Sequence, residues 1–207
     1  MRALSIILAS ALDDVLLPFK PPTITFYAFP SKIAIMSRFK YSPGLVDNVE
    51  DREKYVVGGF HPVHIGDTVD NGRYRIVHKL GFGGFATVWL GRDRHANKYV
   101  ALKIIVAECS KDCSELRMLR LFKDNTSTHP GRQYIATLLD SFWIEGPNGS
   151  HLCLVSPVAG PAIPEYSKSQ PHGRLRVNVA QKIALQATQG LAFLHSIGVG
   201  HGGNKCL

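Results

Sequence analysis

A chain of 207 residues, 45% hydrophobic and 19% charged, is long enough to bury one ordinary core. Its net charge of +8 lies almost wholly beyond residue 60; such an excess attracts phosphates and nucleic acid alike, but no basic patch interleaved with aromatics follows, which argues against direct nucleic-acid binding. Cys109, Cys113, Cys153 and Cys206 make no CxxC pair and have no histidines at metal spacing, which argues against a zinc module and fits reduced thiols in a cytosolic protein.

The first segment is ambiguous. Arg2 and the apolar residues 3–12, with Ala9-Ser10-Ala11, imitate a signal peptide with an A-x-A cleavage site, and the run is too short to span a bilayer. Three readings stay open: true targeting, a disordered extension, and translation that begins at Met36, where Met36-Ser37-Arg38 opens a polar lead-in directly. Pro18, Pro21, Pro22 and Pro30 discourage helix and interior strand, and suit a linker. Residues 1–54 therefore read as an extension and 55–73 as a lead-in.

Beyond residue 74 the pattern predicts a small antiparallel sheet, with strands at 74–81, 86–92 and 99–106 and a polar turn at 93–98. The first two strands meet through Leu80-Gly81-Phe82-Gly83-Gly84-Phe85-Ala86-Thr87-Val88. Glycines at 81, 83 and 84 let the backbone turn tightly and bring its N–H groups against phosphate oxygens. Alone, such a loop is often only a turn; here Val100-Ala101-Leu102-Lys103 follows on the next strand and supplies a cation for those phosphates.

Residues 111–122 predict a helix with Leu116, Met118 and Leu119 apolar; separately, the i and i+4 spacing of Cys109 and Cys113 could put both thiols on one helical face. Glu115 follows Lys103 by twelve residues, and Glu108 is a competing carboxylate. His129-Pro130-Gly131 breaks the chain, residues 134–143 predict a fourth strand, and Gly146-Pro147-Asn148-Gly149 turns into a fifth at 151–155. Residues 178–196 predict the clearest helix, with Val179, Ile183, Ala187, Leu191 and Leu194 at helical spacing and Gly198 placed to stop it.

This chain resembles the eukaryotic-type protein kinases, and among them the serine/arginine-rich-protein kinases and their fungal relatives. The resemblance rests on Gly58-Gly59-Phe60-His61-Pro62-Val63-His64-Ile65-Gly66-Asp67, Tyr74-Arg75-Ile76-Val77, the loop ending in Thr87-Val88-Trp89-Leu90, and His151-Leu152-Cys153-Leu154-Val155, and spans residues 55–203. It implies an α+β fold: a kinase N-terminal lobe over 74–158, with a five-stranded antiparallel sheet plus one helix, then a partial helical C-terminal lobe over 159–207. It also implies ATP as the ligand of Leu80, Gly81, Phe82, Gly83, Gly84, Phe85, Ala86, Thr87 and Val88, with Lys103 on the α and β phosphates. Val88 and Ala101 would close over the adenine, and the Val158 backbone would bond its edge. Glu115 would pair with Lys103, because Ser114-Glu115-Leu116-Arg117-Met118-Leu119 matches the family helix better than the surroundings of Glu108 do.

Departures from the family pattern are specific. Ala86 replaces the third glycine of the loop, Ser156 stands where a bulky apolar residue usually precedes the hinge, and Pro157 replaces a frequent acid and lacks an N–H. At His201 the family continues within two residues to an aspartate that accepts the substrate proton, then to an asparagine and a DFG aspartate for magnesium. This chain reads His201-Gly202-Gly203-Asn204-Lys205-Cys206-Leu207, so Gly203 holds the aspartate's place and Asn204 comes too early for the metal.

A complete two-lobed member needs on the order of 250 residues or more. Gly203-Asn204 can be encoded by a splice-donor-like GTAAY string after a G, and that G could begin an aspartate codon once an intron were removed; the tail then reads as intron read-through. The expected activity of the complete form is transfer of the ATP γ-phosphate to protein hydroxyls, with Arg/Ser-rich substrates implied by resemblance alone. This chain as written is expected to bind ATP weakly, to lack the magnesium ligands and to transfer no phosphoryl group. The alternatives are a non-catalytic pseudokinase fragment that binds nucleotide or a partner, and a fragment without function. No membrane partner is expected, and the location implied is cytoplasmic, with the nucleus also open.

Overall fold

Alternating apolar residues along successive strands build one antiparallel sheet with two covered faces. The structure, a computed structural model, describes residues 50–200; the signal-like run, the prolines of 17–31, Met36 and the tail from His201 to Leu207 lie outside the described residues. The strands are β1 Thr68–Val69, β2 Tyr74–Gly83, β3 Ala86–Asp93, β4 Lys98–Ile105, β5 Asp140–Gly146 and β6 Gly149–Ser156, in the order β1-β2-β3-β4-β6-β5. The helices are α1 Ala107–Ser110, α2 Ser114–Asp124, α3 Ile163–Lys168 and α4 Val177–Ser196.

Four expectations need correction. The five-stranded sheet carries a sixth, two-residue edge strand, because Asp70, Asn71 and Gly72 all take left-handed φ values (52°, 53° and 85°) and fold β1 back onto β2. Asp and Asn tolerate that region through their short polar side chains.

The fourth strand begins at Asp140 and not at residue 134. Pro130–Tyr134 is a 3-10 turn, and Ile135 and Leu138, three residues apart, both turn into the core instead of alternating.

The helix expected over 111–122 is broken at Cys113, which takes an extended conformation (φ −68°, ψ 101°) and starts α2 at Ser114. Cys109 sits on α1 and Cys113 caps α2, so the two thiols share no helical face; neither they nor Cys153 form a disulfide among the described residues.

Gly81 and Gly83 lie inside β2 without left-handed φ values, so neither supplies a turn conformation.

One face of the sheet, formed by Ala86, Ile105, Leu152 and Leu154, packs against Leu119 and Phe122 of α2, Ile135, Leu138, and Phe193 and Leu194 of α4. The opposite face gathers Tyr74, Ile76, Trp89, Val100, Leu102, Ile104, Cys153 and Val155. Each large apolar side chain fully buried here contributes about 1.5–3 kcal/mol of transfer free energy. Gly91 is needed for this packing: a Cβ there would stand 2.6 Å from Leu102 Cδ1.

In α4 the buried positions are Gln186, Gly190, Phe193 and Leu194, while Leu185 on the other side is 59% exposed. Gly198, at φ +75°, closes the helix with its N–H on the His195 carbonyl.

Candidate nucleotide-binding site

Strand alternation puts Ala101, Lys103 and Ile105 on the helix-covered face of β4. Register then sets Val88 of β3 and Leu154 of β6 on either side of Lys103, and Leu90 and Ser156 on either side of Ala101. Cross-strand partners point to one side of a sheet, so Val88, Ala101, Lys103 and Ser156 share a face.

Lys103 Nζ donates to both carboxylate oxygens of Glu115, at 2.8 and 2.6 Å, with the two side chains 32% and 33% exposed. Glu115 lies in the first turn of α2, where the positive end of the helix favours a carboxylate. Leu119 and Phe122 anchor that helix in the core. Glu108 is exposed on α1 and its N–H goes to the Gly58 carbonyl; the geometry therefore pairs Lys103 with Glu115.

Gly81 lies opposite Val88 and Gly83 opposite Ala86, on the same face as Lys103. No heavy atom lies within 4 Å of where a Cβ would stand on either glycine. The backbone at Gly81 and Gly83 is therefore open on the side where a side chain would stand. A phosphate-bearing ligand fits such a cradle, since its oxygens can reach main-chain N–H groups and a cation together.

The other loop residues divide between the two faces. Ala86 is 5% exposed and packs in the core, and Val88 is half-buried. Leu80, Phe82 and Phe85 form an exposed apolar rim at 45%, 40% and 38%. Thr87 points to the opposite face, where its Oγ1 accepts the Trp89 indole N–H at 3.0 Å. Thr87 can therefore offer a ligand only its backbone.

At the far edge Ser156 ends β6 and Val158 is 37% exposed, with no hydrogen-bond partner for its main chain among the described residues. Among the described residues no three His, Cys, Asp or Glu side chains come together to hold a metal. His201, Gly203 and Asn204 lie outside the described residues.

One feature beside the site was invisible in the sequence. Glu50, 7% exposed, accepts the Tyr55 hydroxyl at 2.5 Å and the ammonium of Lys79, one residue before Leu80. Burial raises the Glu50 pKa, yet the hydrogen bonds from Lys79 and Tyr55 outweigh it and hold the carboxyl below its ordinary range. Glu50 stands in the charged run Glu50-Asp51-Arg52-Glu53-Lys54, which reads locally as solvated surface.

Residues 74–203 match the protein kinase domain family. Protein kinase dsk1 of Schizosaccharomyces pombe is 40% identical over 149 residues, covering 70% of this chain and 27% of that protein. SRSF protein kinase 3 of Homo sapiens is 39% identical over 152 residues, covering 71% and 26%. Serine/threonine-protein kinase SKY1 of Saccharomyces cerevisiae is 34% identical over 156 residues, covering 72% and 21%. The aligned segment thus spans only 21–27% of these relatives' lengths. The family match runs through the glycine strand, Lys103 and Glu115, and the chain belongs to the protein kinase family, with relatives among the SRSF protein kinases.

Proposed function

We propose that this chain is the ATP-binding part of a protein serine/threonine kinase of the serine/arginine-rich-protein kinase group. The observation that carries the reading is the two-pronged Lys103–Glu115 pair beneath the open edge of Gly81 and Gly83. In this reading the backbone of residues 81–88 and Lys103 bind the phosphates, and Glu115 keeps the ammonium aimed at them. Leu80, Val88 and Ala101 enclose the adenine, and Val158 bonds its edge with the main-chain groups that Pro157 cannot fully supply. When bound with magnesium, ATP supplies a transferable phosphoryl group.

Arg/Ser-rich proteins are the proposed substrates of the complete kinase, supported by the names of the relatives. A second reading, nucleotide binding without transfer, is favoured by Gly203, which stands where the family aspartate would accept the substrate proton. A cytoplasmic or nuclear location is proposed with it; no helix among the described residues is long and apolar enough to cross a membrane.

Titration of a labelled ATP analogue against wild type and Lys103→Ala tests the binding role: weaker binding by the variant is expected, and equal binding removes the phosphate role of Lys103. Radiolabel transfer to an Arg/Ser-rich peptide separates the two readings. No transfer by the 207-residue chain is expected; transfer that Lys103→Met abolishes would overturn the second reading.

A further inference from the structure

α1 opens without a side-chain cap, since its N-cap residue is Val106. The first N–H groups of a helix need partners, and here they come from a distant segment. Ala107 donates to the Gly59 carbonyl at 3.2 Å and Glu108 to the Gly58 carbonyl at 2.9 Å.

The same segment is tied on its other edge by Gly58 N–H to the Asn148 carbonyl at 2.8 Å and by Asn148 Nδ2 to the Phe60 carbonyl at 2.6 Å. Phe60 is 1% exposed, with Tyr55 against it at 5.5 Å between ring centroids. Its turn requires glycine: Gly58 has φ +87°, and a Cβ on Gly59 would run into the Lys54 carbonyl.

Both ends of this segment reach the nucleotide site. At one end Glu50 holds Lys79, whose ammonium stands 5.3 Å from the Trp89 ring and 5.8 Å from Phe82 of the glycine strand. At the other end, α1 is pinned a second time by Ser110, whose Oγ donates to the Val106 carbonyl and accepts the Leu152 N–H, each at 2.9 Å. Only three residues separate α1 from α2, which begins at Ser114 and carries Glu115 in its first turn.

We propose that residues 50–60 are a strap that couples the glycine loop to the Lys103–Glu115 pair, with Glu50, Gly58 and Gly59 as positioning residues for nucleotide binding. The proposal rests on the reading of this site as a nucleotide site. A docked strap fixes the base of the loop and the start of the helix before nucleotide arrives, so less ordering is left for the ligand to impose. Coupling of this kind is reciprocal: nucleotide bound at Lys103 must in turn tighten the strap.

The full 207-residue chain tests it, with a labelled ATP analogue and residue-resolved amide exchange as readouts. Glu50→Gln, which keeps shape and removes charge, should weaken binding about five- to tenfold, at the low end of coupling between sites. Lys79→Met should reproduce the loss and Lys79→Arg should restore binding. In the wild type the analogue should slow exchange at the Ala107 and Glu108 amides, and in Glu50→Gln that slowing should vanish.

Wild-type affinity in Glu50→Gln and Gly59→Ala, alongside weakened Lys103→Ala, would overturn the strap and keep the phosphate role of Lys103. Wild-type affinity in Lys103→Ala, with ligand-slowed exchange at Ala107 and Glu108 intact, would discard that role and keep the strap.

Discussion

The rings of His61 and His151 meet at 4.8 Å between centroids, tilted by 59°, where the segment before β1 crosses β6. His151 has no exposed surface, and its Nδ1 lies 3.0 Å from the Ile105 carbonyl; a carbonyl only accepts, so Nδ1 carries the proton. Burial first, and the charge of His151 second, push the His61 pKa below its ordinary value, with Asp67 opposing.

A pH dependence follows. An undocked His61 titrates near about 6.5, and between that value and the lower docked value the unfolded chain holds the extra proton, so stability rises with pH across this window. His61 contributes fully above the window and loses its contribution as pH falls through it. Urea midpoints at about pH 7.5 and about pH 5.5 should therefore differ more in wild type than in His61→Gln. An equal difference in both would remove His61 as the source.

The Gly91–Leu102 contact predicts non-additive core variants. Leu102→Ala should cost about 2–5 kcal/mol, as for other buried leucines. Gly91→Ala, whose methyl would clash with Leu102 Cδ1, should cost about 1–3 kcal/mol. In the Leu102→Ala background the same methyl enters vacated space, so the double variant should be more stable than the two losses combined imply. Urea unfolding of the four proteins measures that coupling.

Arg73, in the turn just before β2, joins two strands, with Nη2 3.1 Å from Asp93 on β3 and Nη1 2.6 Å from Asp140 on β5. Burial raises the Asp93 pKa, but hydrogen bonds from Arg73 and from the Ala96 and His95 N–H groups outweigh it and hold the carboxyl below its ordinary range. The stability this gives is present above about pH 3.9 and is lost as pH falls through the depressed value. Arg73→Met should destabilise the fold by roughly 1–3 kcal/mol near neutrality, since the guanidinium is partly exposed. Its acid unfolding limb should also be flatter than that of the wild type, as followed by circular dichroism.

Lys103 and Glu115 should behave as a unit. Glu115→Gln and Lys103→Ala should each weaken binding of a labelled ATP analogue by about tenfold, and the double variant should be little worse than either. Losses that multiply would mean that Glu115 acts on the nucleotide by a route other than the lysine.

The main strands and the face of Lys103 were legible in the sequence because each depends on local periodicity, whereas the pairing of Lys103 with Glu115 was implied only by the family resemblance. Alternation along Val100-Ala101-Leu102-Lys103 already sets Lys103 on the face opposite Leu102, and a glycine at 198 already marks where a helix ends. The start of β5 was not legible, because Ile135 and Leu138 suit a strand as well as a core-packed turn, and only α2 and α4 beside them select the turn. The break at Cys113 was likewise not legible, and beside it the Ser110 hydroxyl accepts the Leu152 N–H of β6, a contact that no local pattern shows.

Glu50 was read as extension, and Gly59 and His61 as lead-in, because nothing near them in the chain explains them. Their partners Lys79, Ala107 and His151 lie 29, 48 and 90 positions away, and only the folded sheet brings them together. Local propensity determined the strands, the long helix and the lysine's face; tertiary contacts decided which polar groups were buried and paired, because an unpaired polar group costs free energy only once water has been excluded from it.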